Sequence, residues 1–191
     1  MKFRVITISF LFSTILLTAH ERSLDFWRIN YIDAVDSFDS WSISQYLFDF
    51  IRDILEDGKI LLEFGSGWAS GQFSKYYTVY SIEHSPEWLN RFDTHYIFAP
   101  IKNGWYDIEA IKQGLPKHYD LILVDGPPAT IGRGGLLNNL HLFNTNVPII
   151  FDDVQRKTDY DLMVKVAKKL GKDFKIFKDT AGYKKAFGIV A

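Results

Sequence analysis

The chain has 191 residues, a length usual for one domain, and 47% of them are apolar, which supports a sizeable core and argues against a disordered chain. Its 22 basic and 23 acidic residues give a formal net charge of −1. We therefore expect no nucleic-acid partner, because that role favours a basic surface. The absence of cysteine excludes disulfides, thiolate metal sites and cysteine catalysis.

Residues 1–19 form an apolar segment. Lys2 and Arg4 precede a run whose only polar residues are serine and threonine, and Ala19 suits a cleavage site before His20. The run is short for a membrane span, which needs about 20 residues. Two interpretations stay open: a signal or membrane-associating stretch, and an extension packed on the domain. The remaining chain is typical of a cytoplasmic enzyme, so we expect cytoplasmic localisation, with membrane association or export as alternatives.

Residues 20–58 are predicted to be a helical N-terminal extension. Ser40 is placed to cap a helix from Trp41 to about Leu55, and Gly58 follows its end. Apolar residues recur through this helix at helical spacing: Ile43, Leu47, Phe50, Ile51 and Ile54.

From residue 59 to the end, predicted strands alternate with predicted helices. The strands are 59–64, 78–83, 95–98, 119–124, 147–151, 173–178 and 184–190. The helices are 69–75, one capped by Ser85 with Pro86 at its first position, 107–113, 133–143 and 157–170, with residues 100–105 irregular. This order predicts an α/β fold: a doubly wound, mostly parallel seven-stranded sheet with helices on both faces. The last two strands flank only the turn at Ala181-Gly182, which predicts an antiparallel C-terminal hairpin.

A glycine turn follows the first of these strands. Ile60-Leu61-Leu62-Glu63-Phe64 runs into Gly65-Ser66-Gly67, where the missing Cβ atoms allow a sharp turn and a close ligand approach, and Ser70 is placed to cap the next helix. A dinucleotide fingerprint, G-x-G-x-x-G, requires a third glycine where this chain has Ser70. Glu63 before the turn would also repel a pyrophosphate. An NAD-dependent oxidoreductase is therefore disfavoured.

Carboxylates end three further strands, where open α/β sheets bind ligands. Glu83 ends the second strand, 18 residues after Gly65, and a carboxylate there can accept hydrogen bonds from ribose hydroxyls. Asp125 ends the fourth strand and can act as a base, orient a substrate or hold a metal. Asp152 and Asp153 end the fifth. Carboxylates at one edge repel each other unless they are compensated, and the compensating candidates are Arg133 and Arg156.

These residues resemble the class I S-adenosylmethionine-dependent methyltransferases over about residues 41–191. The resemblance rests on Glu63-Phe64-Gly65-Ser66-Gly67, on Glu83, on Asp125 and on the closing hairpin. The wording of 81–88 (SIEHSPEW) and 124–128 (VDGPP) is similar to small bacterial methyltransferase-like domains. The resemblance implies a Rossmann-like methyltransferase fold in which residues 59–191 bind the cofactor. The implied cofactor-binding residues are Glu63, Gly65, Ser66, Gly67, Glu83, His84 and Asp125.

A weaker resemblance links the chain to the metal-dependent catechol-type O-methyltransferases. It implies that Asp125, Asp152 and Asp153 hold Mg²⁺ or another divalent cation, which would bind and acidify substrate hydroxyls. The alternative is that Asp153 caps a helix and pairs with Arg156. The turn at 132–135 (GRGG) is typical of an anion site, so Arg133, like Arg156, is a candidate substrate-binding residue; a flexible loop with a solvated arginine is the alternative.

The predicted function is methyl transfer from S-adenosylmethionine to a small-molecule acceptor at oxygen, with Asp125 as the catalytic residue. The alternative is a catalytically silent nucleotide- or partner-binding module, since a fold does not prove activity. The adenine ring is expected near Ile101, Trp105 and Tyr106, whose alternative role is ordinary packing. The acceptor and the oligomeric state are left open.

Overall fold

The computed structural model describes residues 43–179 and 185–191, and its centre is a seven-stranded sheet. The strands of this sheet are β1 (Ile60–Phe64), β2 (Thr78–Glu83), β3 (His95–Phe98), β6 (Leu121–Val124), β7 (Ile149–Phe151), β8 (Phe174–Lys178) and β9 (Ala186–Val190). A separate antiparallel ribbon pairs β4 (Ile101–Lys102) with β5 (Trp105–Tyr106). The helices are α1 (Gln45–Ile54), α2 (Trp68–Phe73), α3 (Ile108–Gly114), α4 (Gly135–Asn139) and α5 (Lys157–Leu170).

The strand order is β3-β2-β1-β6-β7-β9-β8. The five strands from β3 to β7 run parallel, whereas β9 is antiparallel to both β7 and β8. This topology confirms the predicted doubly wound sheet with a C-terminal antiparallel hairpin. The strand order reverses between β1 and β6, and a reversal of this kind opens a crevice at the carboxyl ends of the strands.

Apolar side chains cover both faces of the sheet, because successive residues of a strand point to opposite sides. On one face, Leu61 of β1 packs in a cluster with residues of α1 and α2, among them Leu47 and Phe73. On the other face, Leu62 belongs to a cluster that includes residues of α3, α4 and α5. Two layers of helices therefore hold the strand ends in fixed positions around the crevice.

The first described helix starts later than the sequence predicted. Ser44 is its N-cap, with extended backbone (φ −71°, ψ 154°), and its hydroxyl accepts a hydrogen bond from the amide of Leu47 at 3.2 Å. The predicted start at Trp41 is therefore wrong, since Ile43 and Ser44 precede the helix. Ser40 and Ser44 are both residue types that suit an N-cap, and the structure uses Ser44.

Residues 100–105, predicted to be irregular, contain most of the β4–β5 ribbon instead. Other predicted elements differ mainly in length. The helix predicted after Ser85 is a single 3₁₀ turn, Pro86–Trp88, whose end is marked by extended backbone at Leu89. The helix predicted for 133–143 is α4 followed by a 3₁₀ turn, Leu140–Leu142. The predicted helix 157–170 is confirmed as α5, and Gly171 ends it in the left-handed conformation (φ 63°) that favours glycine.

The structure tests few predictions for the N-terminal region. Residues 1–19, residues 20–42 and the turn at Ala181-Gly182 lie outside the described residues. Within residues 43–179 and 185–191, no helix combines the length and the apolar character that crossing a membrane requires.

Candidate functional site

A cavity of about 710 Å³ opens at the carboxyl ends of the central strands. The residues predicted to bind cofactor, metal or substrate line it: Glu63, Gly65, Ser66, Gly67, Glu83, His84, Asp125, Arg133, Asp152, Asp153 and Arg156. Of the three residues expected near the adenine ring, Tyr106 lines the cavity, whereas Ile101 and Trp105 do not. They fall into two groups, which we call the β1–β2 half (Glu63, Glu83 and the glycine turn 65–67) and the β6–β7 half (Asp125, Asp152 and Asp153 with their partners). The fold thus gathers residues that are up to 93 positions apart in the chain into one site.

The glycine turn packs directly against the loop after β6. Gly65 has a positive φ of 88°, and a Cβ atom placed on it would lie 3.3 Å from the Cα atom of Gly126. A Cβ atom on Gly126 would lie 2.8 Å from the Gly65 backbone. Gly67 differs, because its backbone is extended and no atom lies within 4 Å of the position a Cβ would take. The turn therefore leaves open space at Gly67, which is one of the residues that line the cavity.

Ser70 fixes this turn from inside α2. Gly67 is the N-cap of that helix, and the amide of Gly67 donates to the Ser70 hydroxyl at 2.9 Å. The prediction that Ser70 caps the helix is therefore wrong in position: Ser70 is the third helical residue and reaches back to the cap. The hydrogen bond still ties the turn to the start of the helix, as one arm of a capping box does.

Glu83 is buried at the end of β2, where backbone amides hold its carboxylate. Its Oε1 atom accepts hydrogen bonds from the amides of His84 and Ser85, both at 2.6 Å. Its Oε2 atom accepts one from the amide of Ser66 at 2.9 Å. The Nδ1 atom of His84 lies 2.8 Å from Oε1 but makes no hydrogen bond there. Glu83 therefore joins the end of β2 to the glycine turn and keeps a fixed orientation.

Glu63 is a buried carboxyl group in the same half. The hydroxyl of Ser81 donates to its Oε1 atom at 2.5 Å. The pKa of Glu63 is raised to about 8: burial is the main cause, the charges of Asp125 and Glu83 add to it, and hydrogen bonds from Ser70 and Ser81 oppose it. Among the described residues, no cationic side chain forms an ion pair with it. A positively charged ligand would favour the ionised form of this group.

The β6–β7 half contains three carboxylates in close proximity. Asp125, Asp152 and Asp153 each place one oxygen within 4.8 Å of the other two. Asp152 and Asp153 are buried, whereas the side chain of Asp125 is 30% exposed. Asp125 is therefore the carboxylate of this group that a substrate reaches most easily.

The guanidinium of Arg133 is buried among these carboxylates. Its Nη2 atom donates to Oδ1 of Asp125 and to Oδ2 of Asp153, at 3.1 Å in each case. Its Nη1 atom lies 3.5 Å from the carboxylate of Asp159 and donates to the carbonyl of Asp152 at 2.9 Å. Arg133 thus links the ends of β6 and β7 and supplies positive charge there, which is the compensating role that the sequence suggested for it.

Arg156 pairs with Asp153 and is more accessible than Arg133. The two side chains form an ion pair, and 36% of the Arg156 side chain is exposed. Asp153 does not cap α5, because the N-cap residue of that helix is Arg156 and no side chain caps it. Of the two arginines considered for substrate binding, Arg156 is the one with substantial exposure.

Asp152 has a strongly perturbed carboxyl group. Its pKa is raised to about 7: burial is the main cause, the charge of Asp125 adds to it, and Lys185, Arg133 and Arg156 oppose it. Sequence reasoning did not identify Lys185, which lines the cavity from the start of the C-terminal strand. Trp88 was also missed as a lining residue. Lys185 has no motif around it, and Trp88 ends the stretch 81–88, which supported only the family resemblance and gave no role to Trp88.

The site has features that fit both implied ligands. The open space at Gly67 and the Glu63 carboxyl, which has no cationic partner within residues 43–179 and 185–191, suit a ligand with a cationic group. Three carboxylates are the oxygen donors that Mg²⁺ prefers. Guanidinium groups already pair with two of these three, Asp125 and Asp153, so a cation there would share its ligands with Arg133 and Arg156.

Comparisons with solved structures identify proteins that share this fold. No protein-family model and no curated protein matches the sequence. Among solved structures, a methyltransferase from Pyrococcus furiosus has a TM-score of 0.54 at 19% identity, covering 76% of this chain and 80% of that one. The O-methyltransferase from Bacillus cereus in complex with SAH has a TM-score of 0.54 at 12% identity, covering 80% and 83%. The O-methyltransferase TomG from Streptomyces achromogenes, in complex with SAM, has a TM-score of 0.54 at 13% identity, covering 80% and 82%. The chain has the Rossmann-like fold of the class I S-adenosylmethionine-dependent methyltransferases.

Proposed function

We propose that this protein binds S-adenosylmethionine in the cavity and transfers its methyl group to an oxygen atom of a small-molecule acceptor. The observation that carries the proposal is the β1–β2 half, where an open glycine turn lies beside a buried carboxyl group with no cationic partner among the described residues. Structures of the same fold that hold SAH or SAM support it. The acceptor chemistry rests on the carboxylates of the β6–β7 half.

In the β1–β2 half, we assign each group a contact with one part of the cofactor. The backbone of residues 65–67 lets the ligand approach, and Glu63 ionises to pair with its ammonium group. Glu83 Oε2 has a single donor among the described residues, so it retains acceptor capacity for a ribose hydroxyl. His84 lies beside that carboxylate. The cofactor would supply the electrophile, a methyl group on a cationic sulfonium.

In the β6–β7 half, Asp125 is assigned to the acceptor. It is the exposed member of the carboxylate cluster, and it would orient the acceptor hydroxyl or remove its proton. Arg156 would bind an anionic part of the acceptor. Arg133 is assigned to charge compensation instead, because its nitrogens already donate to protein oxygens. Placing the nucleophile in line with the methyl group is the main contribution that such a site makes.

Calorimetric titration with S-adenosylhomocysteine tests the cofactor proposal. Wild-type protein should bind it, and Gly67→Val should abolish binding, because valine suits the extended backbone but its side chain would enter the open space. Gly134→Val is the matched control. Gly134 is exposed, lies outside the cavity lining and has open space around it, so binding should be unchanged. Absence of binding by folded wild-type protein would contradict the proposal.

A panel of hydroxyl-bearing acceptors with labelled methyl donor tests turnover. Transfer to at least one acceptor, at oxygen, is the expected result. Binding of the cofactor without transfer to any member of a broad panel would favour a silent binding module. Preferential binding of NAD would support the oxidoreductase alternative.

A Mg²⁺-dependent form of the same reaction is a second candidate, favoured by the three convergent carboxylates. Asp125, Asp152 and Asp153 would hold the ion, which would acidify a bound hydroxyl. Under this candidate, EDTA abolishes transfer, added Mg²⁺ restores it, and Asp152→Asn weakens Mg²⁺ binding measured by calorimetry. Transfer that is indifferent to EDTA would exclude it and leave Arg133 and Arg156 as the cations of the cluster.

A further inference from the structure

Tyr106, at the end of the β4–β5 ribbon, has a buried hydroxyl group that the fold does not satisfy. The residue is 1% exposed, and its side chain lines the cavity. Among the described residues, no atom forms a hydrogen bond with the hydroxyl oxygen. A buried, unpaired hydroxyl costs free energy, whereas a phenylalanine would fill the same space without that penalty.

The hydroxyl lies at the junction of the two halves of the site. A Cβ atom on Gly126 would lie 2.5 Å from it and 2.8 Å from the Gly65 backbone, so the tyrosine ends where the two glycine-containing loops meet. Burial, with the charge of Glu83 as the next cause, raises the pKa of Tyr106 well above its usual value. The group therefore keeps its proton and is available as a donor.

Packing alone explains the ring but not the oxygen. The ring lies near Phe64 and Trp105, with centroid distances of 6.0 and 5.6 Å. These contacts would be retained by phenylalanine. A buried donor that the chain leaves unsatisfied takes its acceptor from an ordered water or from a ligand, and beside this cavity a bound ligand can supply it.

We propose that the Tyr106 hydroxyl donates a hydrogen bond to a neutral oxygen of the nucleoside part of the bound cofactor. The proposal rests on the proposed function and extends it to a residue outside the glycine turn. The charges of Glu83, Asp125 and Glu63 all act on the hydroxyl, and only Arg133 opposes them, so the net field disfavours an anionic acceptor group. Among these, Glu83 interacts with Tyr106 most strongly, and Glu83 is the group assigned to the ribose. A ribose hydroxyl or ether oxygen is therefore the expected acceptor.

Tyr106→Phe separates this role from a structural one. The variant should bind S-adenosylhomocysteine about tenfold more weakly, the loss expected for one hydrogen bond to a buried donor. The melting temperature of the ligand-free variant should equal or exceed that of wild type, because an unpaired polar atom is removed. Methylthioadenosine, which lacks the amino-acid part, should lose affinity by the same factor.

Tyr119→Phe is the matched control. Tyr119 is also buried, but its hydroxyl accepts a hydrogen bond from the amide of Asn144 at 2.5 Å and lies outside the cavity lining. This variant should melt at a lower temperature and bind S-adenosylhomocysteine as wild type does.

The outcomes separate this inference from the function on which it rests. If wild-type protein binds no S-adenosylhomocysteine, the proposed function and this contact both fail. If wild type binds and Tyr106→Phe binds equally well, only the Tyr106 contact is refuted. A loss seen with S-adenosylhomocysteine but not with methylthioadenosine would refute the nucleoside assignment.

Discussion

The two halves of the cavity both bury carboxylates, but they stabilise them by different means. In the β1–β2 half, hydroxyl groups and backbone amides hold Glu63 and Glu83. In the β6–β7 half, the guanidinium of Arg133 bridges Asp125 and Asp153. Hydrogen bonds from neutral donors orient a carboxylate but leave its charge in place. An arginine orients the carboxylate and also neutralises its charge.

This difference assigns the halves distinct electrostatic roles. In the β1–β2 half, Glu63 has a pKa of about 8, so it stays protonated at neutral pH unless a positive charge lies nearby. A cationic ligand would lower this pKa and favour the ionised carboxylate. The β6–β7 half carries its own cations, so we expect its stability to depend on them. Our proposal assigns its chemistry to the exposed carboxylate, Asp125.

The largest expected effect of a substitution is at Arg133. Arg133→Met should lower the free energy of unfolding by about 3–5 kcal/mol, because it leaves buried carboxylates without their cation. Urea unfolding at pH 7 measures the loss. Arg91→Met, at an exposed arginine, should change stability by less than about 0.5 kcal/mol. A loss below about 1 kcal/mol at Arg133 would mean that the β6–β7 half does not depend on internal ion pairs.

The pH dependence of stability tests the β1–β2 half. The pKa of Glu63 rises from 4.5 to about 8, so between these pH values the folded protein holds a proton that the unfolded chain has released. Stability should therefore fall as the pH rises through this window. Glu63→Gln should remove that part of the fall, roughly 3 kcal/mol between about pH 5.5 and 8, in urea unfolding at several pH values.

The control for this pH profile is Glu87→Gln, at an exposed glutamate, which should follow wild type. Asp152, with its pKa raised to about 7, contributes a fall of the same sign in all three proteins. If wild type and Glu63→Gln lose stability in parallel as the pH rises, the pKa of Glu63 is not raised in the folded protein.

Asp125 tests the assignment of chemistry to the β6–β7 half. Asp125→Asn should slow methyl transfer about 100-fold, because an amide cannot accept the acceptor's proton. Its affinity for S-adenosylhomocysteine should stay within about threefold of wild type. Asp161→Asn, on α5 and paired with Lys157, should leave transfer unchanged. If Asp125→Asn transfers methyl groups at the wild-type rate, Asp125 is not the base.

The smallest expected effect is at Ser81, which is fully buried and donates to Glu63. Ser81→Ala should cost about 1 kcal/mol of stability and raise the pKa of Glu63, because the hydrogen bond favours the ionised carboxylate. The midpoint of the pH-dependent fall in stability should shift upwards. Ser74→Ala, whose hydroxyl donates to the carbonyl of Gly71, should leave that midpoint unchanged.

Much of the fold could be predicted because strand ends carry distinctive residues. Glu63, Glu83, Asp125 and Asp152 each lie at the end of an apolar strand, and parallel strands bring their carboxyl ends to one edge. The wide spacing of these residues in sequence did not obscure their proximity. The alternation of strands and helices was enough to predict a parallel sheet, and that sheet brings these residues together.

The features that were missed depend on contacts distant in sequence. The glycine-rich turn around Arg133 is typical of an exposed loop, and only the packing of β6 against β7 buries that arginine between carboxylates. The unpaired hydroxyl of Tyr106 is equally invisible in sequence, since pairing depends on every neighbouring atom. The N-cap of α1, Ser44, was missed because Ser40 carries the same local signal four residues earlier.

The contact between Gly65 and Gly126 has an evolutionary consequence. A Cβ atom on Gly126 would lie 2.8 Å from the Gly65 backbone, which is too close. A Cβ atom on Gly65 would lie 3.3 Å from the Gly126 backbone, at a φ of 88° that disfavours any side chain. A larger residue at either position cannot be rescued by a smaller one opposite, because glycine is already the smallest. The pair should therefore be fixed jointly in functional descendants of this protein, with no compensatory double substitution accessible to drift or to directed evolution.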